Sequence, residues 1–311
     1  MKRVLLILPP VRDFYFTFSR NYPLGLLYLA TFLTREGFKV KIINALERRS
    51  KVTLKVPQAF SYLNRYYRSN KSPFRLFNNF YHFGLTFEEI QGLIEDFRPH
   101  IVGISANFSC YFDSVIQVTE TVKRIDKRII TVVGGRFATS QPEVPLKNPN
   151  IDFVIRGEAE YTFLELCKKV DKGIEHIAGV CYRTGDKLFI SPQIPIVEDL
   201  DKIPYPERTL INYYEYKIDG NVYTSLITSR GCNLGCRFCA IREPFRYRKA
   251  ENVFGEIEIC YSLGIRHFNF EDDNINLNPQ FEKLLDLIID SLVDKGKSIR
   301  ISFMNGLMLS L

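Results

Sequence analysis

The fold is decided by residues 4–45, where VLLIL (4–8), LGLLYLATFLTREG (24–37) and KVKIINA (39–45) follow one another. Two short apolar runs flank a longer segment of helical pattern, and that order reads strand, helix, strand. The rhythm resumes downstream with a helix near 87–97, IVGIS (101–105), a helix near 113–126, ITVVGG (130–135) and FVIRG (153–157). Strands rich in Val and Ile alternating with helices predict an α/β fold: a doubly wound, mostly parallel sheet with helices on both faces. Ligands of such sheets bind beyond the carboxyl ends of the strands.

Outward from this core, residues 48–85 carry many Tyr, Phe, Arg and Asn without sustained periodicity. They read as an insertion that packs its aromatics on the host domain and solvates its charges, and no chemistry is assigned to them. Residues 174–222 read as short strands and a connector, punctuated by Pro192, Pro195, Pro204 and Pro206. The predicted division is a first domain at 1–185, a linker at 186–221 and a second domain at 222–311. In the second domain the alternation restarts with VYTSLITS (222–229), a helix near 250–263, RHFNFED (266–272), a helix near 279–295 and IRISF (299–303).

A length of 311 residues suits two domains, and 46% hydrophobic with 25% charged residues excludes disordered and fibrous classes. The net charge of +7 is spread along the chain and names no partner. The apolar runs at 4–8 and 24–33 fall short of the roughly 18 residues of a spanning helix. Met1-Lys2-Arg3 before VLLIL imitates a signal peptide, but the apolar run stops at Pro9-Pro10 and no cleavage site follows. A cytoplasmic protein is expected, with its seven cysteines reduced.

Three of those cysteines, Cys232, Cys236 and Cys239, stand in TSRGCNLGCRFCA (228–240), directly after a predicted strand. A C-x3-C-x2-C loop can wrap soft thiolates around one metal centre, which selects zinc, cuprous copper or an iron–sulfur cluster over hard cations. Structural zinc wants four ligands from paired knuckles, and no second C-x2-C or H-x3-H pair occurs, although Cys260 or His267 could serve. A [4Fe-4S] cluster with one open iron fits the spacing better. The next strand ends in FNFEDDN (268–274), so Glu271, Asp272 and Asp273 fall at a strand's carboxyl end, where α/β barrels assemble their sites. The segment is either such a site cluster or an exposed acidic loop capping the helix from Asn278. Cys167, Cys181 and Cys260 read as inert core thiols and His100 as structural.

The first domain contains neither G-x-G-x-x-G nor GxxxxGK[ST], which counts against dinucleotide and P-loop ligands. Its strand-end turns at 21–25, 103–106, 133–136 and 156–160 instead place small residues where a flat or bulky ligand could approach the backbone.

With its three cysteines at this spacing and Phe238 just before the third, the chain resembles the radical S-adenosylmethionine enzymes. The resemblance implies that Cys232, Cys236 and Cys239 hold the cluster and that its open iron chelates S-adenosylmethionine, which is cleaved to a 5′-deoxyadenosyl radical. It also implies S-adenosylmethionine contacts at Phe238, at Glu271, Asp272 and Asp273, where different residues replace the family's Gly-Gly-Glu, and at Asn305. The turns ahead of the cysteine loop look like the Rossmann-like cobalamin-binding domain of the cobalamin-dependent members. Leu24, Gly25, Ser105, Ala106, Gly134, Gly135, Arg136, Gly157 and Glu158 are the implied cobalamin contacts. An Asp-x-His-x-x-Gly loop is missing, and the histidines are His82, His100, His176 and His267. Cobalamin is therefore expected without a protein imidazole below cobalt, its lower face near residues 105–107 or Arg136 and Phe137.

The implied architecture is this domain followed by a partial, incomplete (β/α) barrel, because about ninety residues hold only half of the family's six strand–helix pairs. The resemblance implies methyl transfer to an unreactive carbon of a small-molecule or peptide substrate, with an electron donor such as flavodoxin or ferredoxin and no role for membrane or nucleic acid. The alternatives are a catalytically inactive, truncated cobalamin- or cluster-binding remnant and a zinc-binding, RNA-interacting protein.

Overall fold

The protein is described by a computed structural model over residues 1–18, 21–63, 79–237, 239, 241 and 243–308. Two compact units divide it, Met1–Pro195 and Ile196–Leu311.

In the first unit the chain runs β1 (Arg3–Leu8), β2 (Val11–Asp13), α1 (Leu24–Arg35), β3 (Lys39–Asn44), β4 (Lys51–Leu54), β5 (Phe80–Phe83), α2 (Phe87–Phe97), β6 (Ile101–Ser105) and α3 (Phe112–Ile125). It continues through β7 (Ile130–Gly134), α4 (Arg136–Ser140), α5 (Glu143–Leu146), β8 (Phe153–Ile155), α6 (Ala159–Lys169), β9 (Val180–Thr184) and β10 (Lys187–Phe189). Seven strands form one sheet in the order β10-β9-β8-β7-β6-β1-β3. The five strands from β8 to β3 are parallel, and β9 and β10 add an antiparallel edge. Strand order reverses between β1 and β6, which makes their carboxyl ends the switch point where such sheets bind ligands.

The central strands are apolar because both faces are covered: Val4, Leu5, Leu6 and Ile7 of β1 are all 0% exposed. Each such side chain contributes about 1.5–3 kcal/mol by leaving water. Helix α2 starts at a capping box, in which the Thr86 hydroxyl accepts from the Glu89 N–H while the Glu89 carboxylate accepts from the Thr86 N–H. Helix α3 turns Val115, Val118 and Val122 inward at helical spacing.

The expected insertion contains regular structure that its sequence concealed. Strands β2, β5 and β4 form a small antiparallel sheet, with Val11 and Lys51 both opposite Phe83. Its aromatics cluster, Phe14 lying 5.2 Å from both Phe60 and Phe80.

The second unit comprises β11 (Lys217–Ile218), β12 (Asn221–Leu226), β13 (Ser229–Arg230), β14 (Arg246–Tyr247), α7 (Ala250–Ser262), β15 (His267–Phe270), α8 (Phe281–Ile288) and β16 (Arg300–Phe303). Strands β12, β15 and β16 are parallel neighbours, as successive strand–helix pairs of a barrel require, and β11 folds back on β12. Leu226, Phe268 and Phe270 on one face of this sheet pack with Val253 and Ile257 of α7 and Leu284 and Ile288 of α8. Residues 186–221 are shared between the units: β10 joins the first sheet, while Arg208, Tyr213 and Tyr216 are buried in the second unit. The helix expected near 279–295 is α8 followed by a π-helical segment, Ile289–Val293. No helix among the described residues is long and apolar enough to cross a membrane.

Candidate metal and cofactor site

The cysteine loop leaves from the carboxyl end of β12 and is closed at its stem. Ser229 and Arg230 pair antiparallel with Tyr247 and Arg246, and the Cys232 N–H donates to Glu243 O at 3.4 Å. Gly231 makes this closure possible. Its φ is +77°, and a Cβ there would sit 2.3 Å from Pro244 O and 2.6 Å from Glu243 O. Within the loop the Cys239 N–H donates to Cys236 O at 3.0 Å, which puts these two cysteines on one turn. The Ile241 N–H points at the Cys239 sulfur, 3.4 Å away.

Cys236 is exposed, Cys232 and Cys239 are half-buried, and all three are unbridged. No three His, Cys, Asp or Glu side chains among the described residues converge as a metal site. The loop brings the three thiols onto one stem and two of them onto one turn, and Phe238 lies outside the described residues. The donor set fits an iron–sulfur cluster: soft thiolates, accessible to iron, with an N–H already directed at one sulfur. Elsewhere in the chain, burial pushes the thiol of Cys167 up to about 12 and that of Cys260 up to about 11. Thiols held protonated in this way are poor ligands and poor nucleophiles.

The adjacent carboxylates at the end of β15 do different things, because successive residues of an extended segment point to opposite sides. Glu271 is half-buried, and its Oε1 accepts from Ser225 Oγ at 3.0 Å and Asn269 Nδ2 at 2.5 Å. This carboxylate ends a directed chain. The Ser302 hydroxyl donates to Asn269 Oδ1 at 3.0 Å, and its oxygen lies 2.9 Å from His267 Nε2, so Nε2 carries the proton. Burial pushes the His267 pKa down and favours that neutral ring. Ser225, His267, Asn269 and Ser302 thus line the sheet face opposite α7 and α8 with polar groups.

Asp272, by contrast, is 4% exposed and turned into the protein. The Thr228 N–H donates to both of its oxygens, at 2.9 and 3.0 Å, and the hydroxyls of Thr228 and Ser229 donate to Oδ1 at 2.8 and 2.6 Å. Burial pushes its carboxyl up, and these donors oppose the shift. Asp273 is half-buried. Asn305, just past β16, donates to the carbonyls of Glu271 (3.2 Å) and Asp272 (3.0 Å), so the ends of β15 and β16 are tied together. The competing reading of this segment as an exposed acidic loop does not hold at Asp272, although Asn278 does accept from the Gln280 N–H just ahead of α8.

Beneath the loop lies a buried charge cluster that sequence reasoning did not find. Glu256 of α7 is 2.6 Å from both the Arg208 and the Arg248 guanidinium. Burial alone would raise the Glu256 carboxyl, but the two guanidiniums outweigh it and hold the pKa below its ordinary value. Its signal in the sequence was an acidic residue on the apolar face of α7, which names no partner.

In the first unit, β6, β7 and β8 lie side by side, with Ser105 opposite Gly134 and Gly134 opposite Ile155. The expected cobalamin contacts Ser105, Gly134, Arg136, Gly157 and Glu158 therefore share one sheet edge, and Leu24 and Gly25 open α1 after β1. Gly135, at φ +125°, lets the β6 and β7 loops meet, since a Cβ would be 2.6 Å from Asn107 Oδ1 and 2.7 Å from Ala106 O. The Arg136 N–H donates to that Asn107 oxygen at 3.2 Å. Ala106 is buried and offers only backbone. Phe108, passed over in the sequence, is 63% exposed on the same edge after β6.

Residues 76–167 match the B12 binding domain family, and residues 226–308 match the Radical SAM superfamily. An uncharacterized methyltransferase of Pyrococcus horikoshii is 32% identical over 288 residues, covering 89% of this chain and 55% of that protein. The cytidylyl-2-hydroxyethylphosphonate methyltransferase of Streptomyces wedmorensis is 28% identical over 312 residues, covering 88% and 55%. The chain thus spans about half the length of the curated relatives it matches. Among solved structures, the radical S-adenosylmethionine methyltransferase TsrM of Kitasatospora setae, with tryptophan and an S-adenosylmethionine analogue bound, superposes with a TM-score of 0.66. It is 18% identical, and the match covers 97% of this chain and 54% of that one. The cobalamin-dependent enzyme OxsB, with aqua-cobalamin and S-adenosylmethionine, gives 0.68 at 18% identity, covering 97% and 38%. At these identities the two structures establish the fold.

Proposed function

We propose, for a chain that joins a B12 binding domain to a Radical SAM superfamily domain, that the protein is a cobalamin-dependent radical S-adenosylmethionine methyltransferase acting on a small molecule. The observation that carries this reading is the C-x3-C-x2-C loop, closed at its stem and launched from the first parallel strand of a barrel-type sheet. When bound, the cluster and S-adenosylmethionine would supply a 5′-deoxyadenosyl radical for hydrogen abstraction, and cobalamin a transferable methyl group.

The chain's own residues would orient these groups. Cys232, Cys236 and Cys239 hold iron, and Phe238 directly precedes the third ligand in sequence. The Glu271 carboxylate, its Oε1 held by Ser225 and Asn269, meets the ammonium of the methionine moiety, with Asp273 and Asn305 at the same strand ends. The polar face of Ser225, Asn269 and Ser302 suits a ligand with hydrogen-bonding groups. Leu24, Gly25, Ser105, Gly134, Gly135, Arg136, Gly157 and Glu158, with the Ala106 backbone, receive the corrin within residues 1–185.

A protein imidazole below cobalt is not expected. His82 Nε2 is 2.7 Å from Leu85 O, and His100 Nδ1 accepts from the Arg3 N–H at the opposite, amino edge of the sheet. On this reading the protein works in the cytoplasm and takes its electron from a flavodoxin or ferredoxin. The test is anaerobic reconstitution with iron, sulfide and cobalamin, followed by reduction with S-adenosylmethionine present. Formation of 5′-deoxyadenosine with methyl-group transfer supports the reading. Cobalamin binding without cleavage indicates a non-catalytic carrier, and zinc without sulfide would overturn the cluster.

A further inference from the structure

We propose that Asp272 is a positioning residue for the cysteine loop and makes no contact with S-adenosylmethionine; its bearing on the cluster rests on the function proposed above. The segment that launches the loop, residues 225–229, is held by buried side chains along its length. Arg208 donates to Ser225 O at 3.1 Å and Arg248 to Ile227 O at 2.9 Å. The Arg248 N–H donates to Thr228 O at 2.7 Å, and Asn278 Nδ2 to Thr228 Oγ1 at 3.0 Å. Asp272 completes this clamp by accepting the Thr228 N–H and both hydroxyls.

Three residues beyond Ser229 comes the first cysteine, and from there through Arg237 most of the loop is exposed. An exposed loop that presents three ligands to one centre needs a rigid stem, because ligand placement tolerates only a fraction of an ångström. The carboxylate of Asp272 is enclosed on the stem side, whereas that of Glu271 lies on the polar sheet face. Two adjacent acidic residues thus divide the work, one fixing where the loop begins and one facing the ligand.

The test compares Asp272→Asn with Glu271→Gln in the full chain. Losing one charge-assisted acceptor is expected to speed amide exchange over residues 228–232 of the apo protein about tenfold. In reconstituted Asp272→Asn, cluster loss to a chelator accelerates by a similar factor, about tenfold, while S-adenosylmethionine affinity of the loaded protein stays within about twofold. Glu271→Gln shows the reverse, intact cluster retention with weakened affinity. Ser229→Ala removes a single donor and leaves Asp272 charged, so it guards against a general folding defect and is expected to fall between wild type and Asp272→Asn. Wild-type exchange in Asp272→Asn, or retained cluster with lost affinity, overturns the proposal. If the wild-type chain takes up no cluster, the methyltransferase reading fails while the exchange measurement still decides the role of Asp272.

Discussion

The loop's chemistry depends on few residues, and each makes a separable prediction. Cys232→Ala, Cys236→Ala and Cys239→Ala should each abolish the visible absorbance of the reconstituted protein, while Cys167→Ala, which removes a thiol buried in the first unit, should leave it unchanged. Survival of the absorbance in any of the three would remove that residue as a ligand. Gly231→Ala tests the stem. Its φ of +77° and the 2.3 Å approach to Pro244 O leave no room for a side chain, so a loss of about 1–3 kcal/mol is expected in denaturant unfolding of the second unit, with poorer cluster uptake. That the cysteine loop follows a strand and that FNFEDDN ends one was legible in the sequence, because the apolar runs before them mark those strands. That Asp272 turns inward while Glu271 does not was illegible: the difference lies in the Thr228 and Ser229 donors of the segment just after β12, 43 or 44 positions away.

Long-period elements were readable because their cores are local. Strand β6 and helix α2 fall on the residues their patterns marked, each bounded by its own signals: the capping box of α2 and the Pro99 break before β6. Strands β2, β4 and β5 were not, since three- and four-residue strands paired across long gaps leave no periodicity to detect. The Arg208–Glu256–Arg248 cluster likewise joins the connector, the loop's exit and α7 in a way no window of sequence contains. It carries a pH prediction. Because the folded Glu256 carboxyl sits below its ordinary value of 4.5, its contribution is fully present above about pH 4.5 and is lost as pH falls through the folded value. Glu256→Gln should cost about 3–5 kcal/mol near neutral pH by leaving two buried guanidiniums uncompensated. Urea midpoints measured against pH should show that gap closing on acidification. A gap that stays constant would mean that Glu256 is not the ionised partner. Asp272, whose folded value is raised, tilts stability in the opposite sense and is common to both proteins, so it cancels in the difference.

At the scale of the molecule, a parallel sheet with its switch point between β1 and β6 precedes a unit whose three parallel strands each follow the barrel pattern. Both architectures were legible as strand–helix alternation, whereas the expected linker at 186–221 contributes to both units, which divide after Pro195. The cobalamin reading predicts that the cobalt(II) form, bound to the full chain, shows no nitrogen coupling from a protein imidazole in its paramagnetic resonance spectrum; such coupling would contradict it. The central claim is that three thiolates and S-adenosylmethionine meet at one iron centre. The most direct measurement is the product of anaerobic reduction of the iron- and sulfide-reconstituted chain with S-adenosylmethionine. The account predicts 5′-deoxyadenosine formed in wild type and lost in Cys236→Ala. A folded protein that remains colourless and iron-free after reconstitution, or one that yields equal product without Cys236, would contradict it.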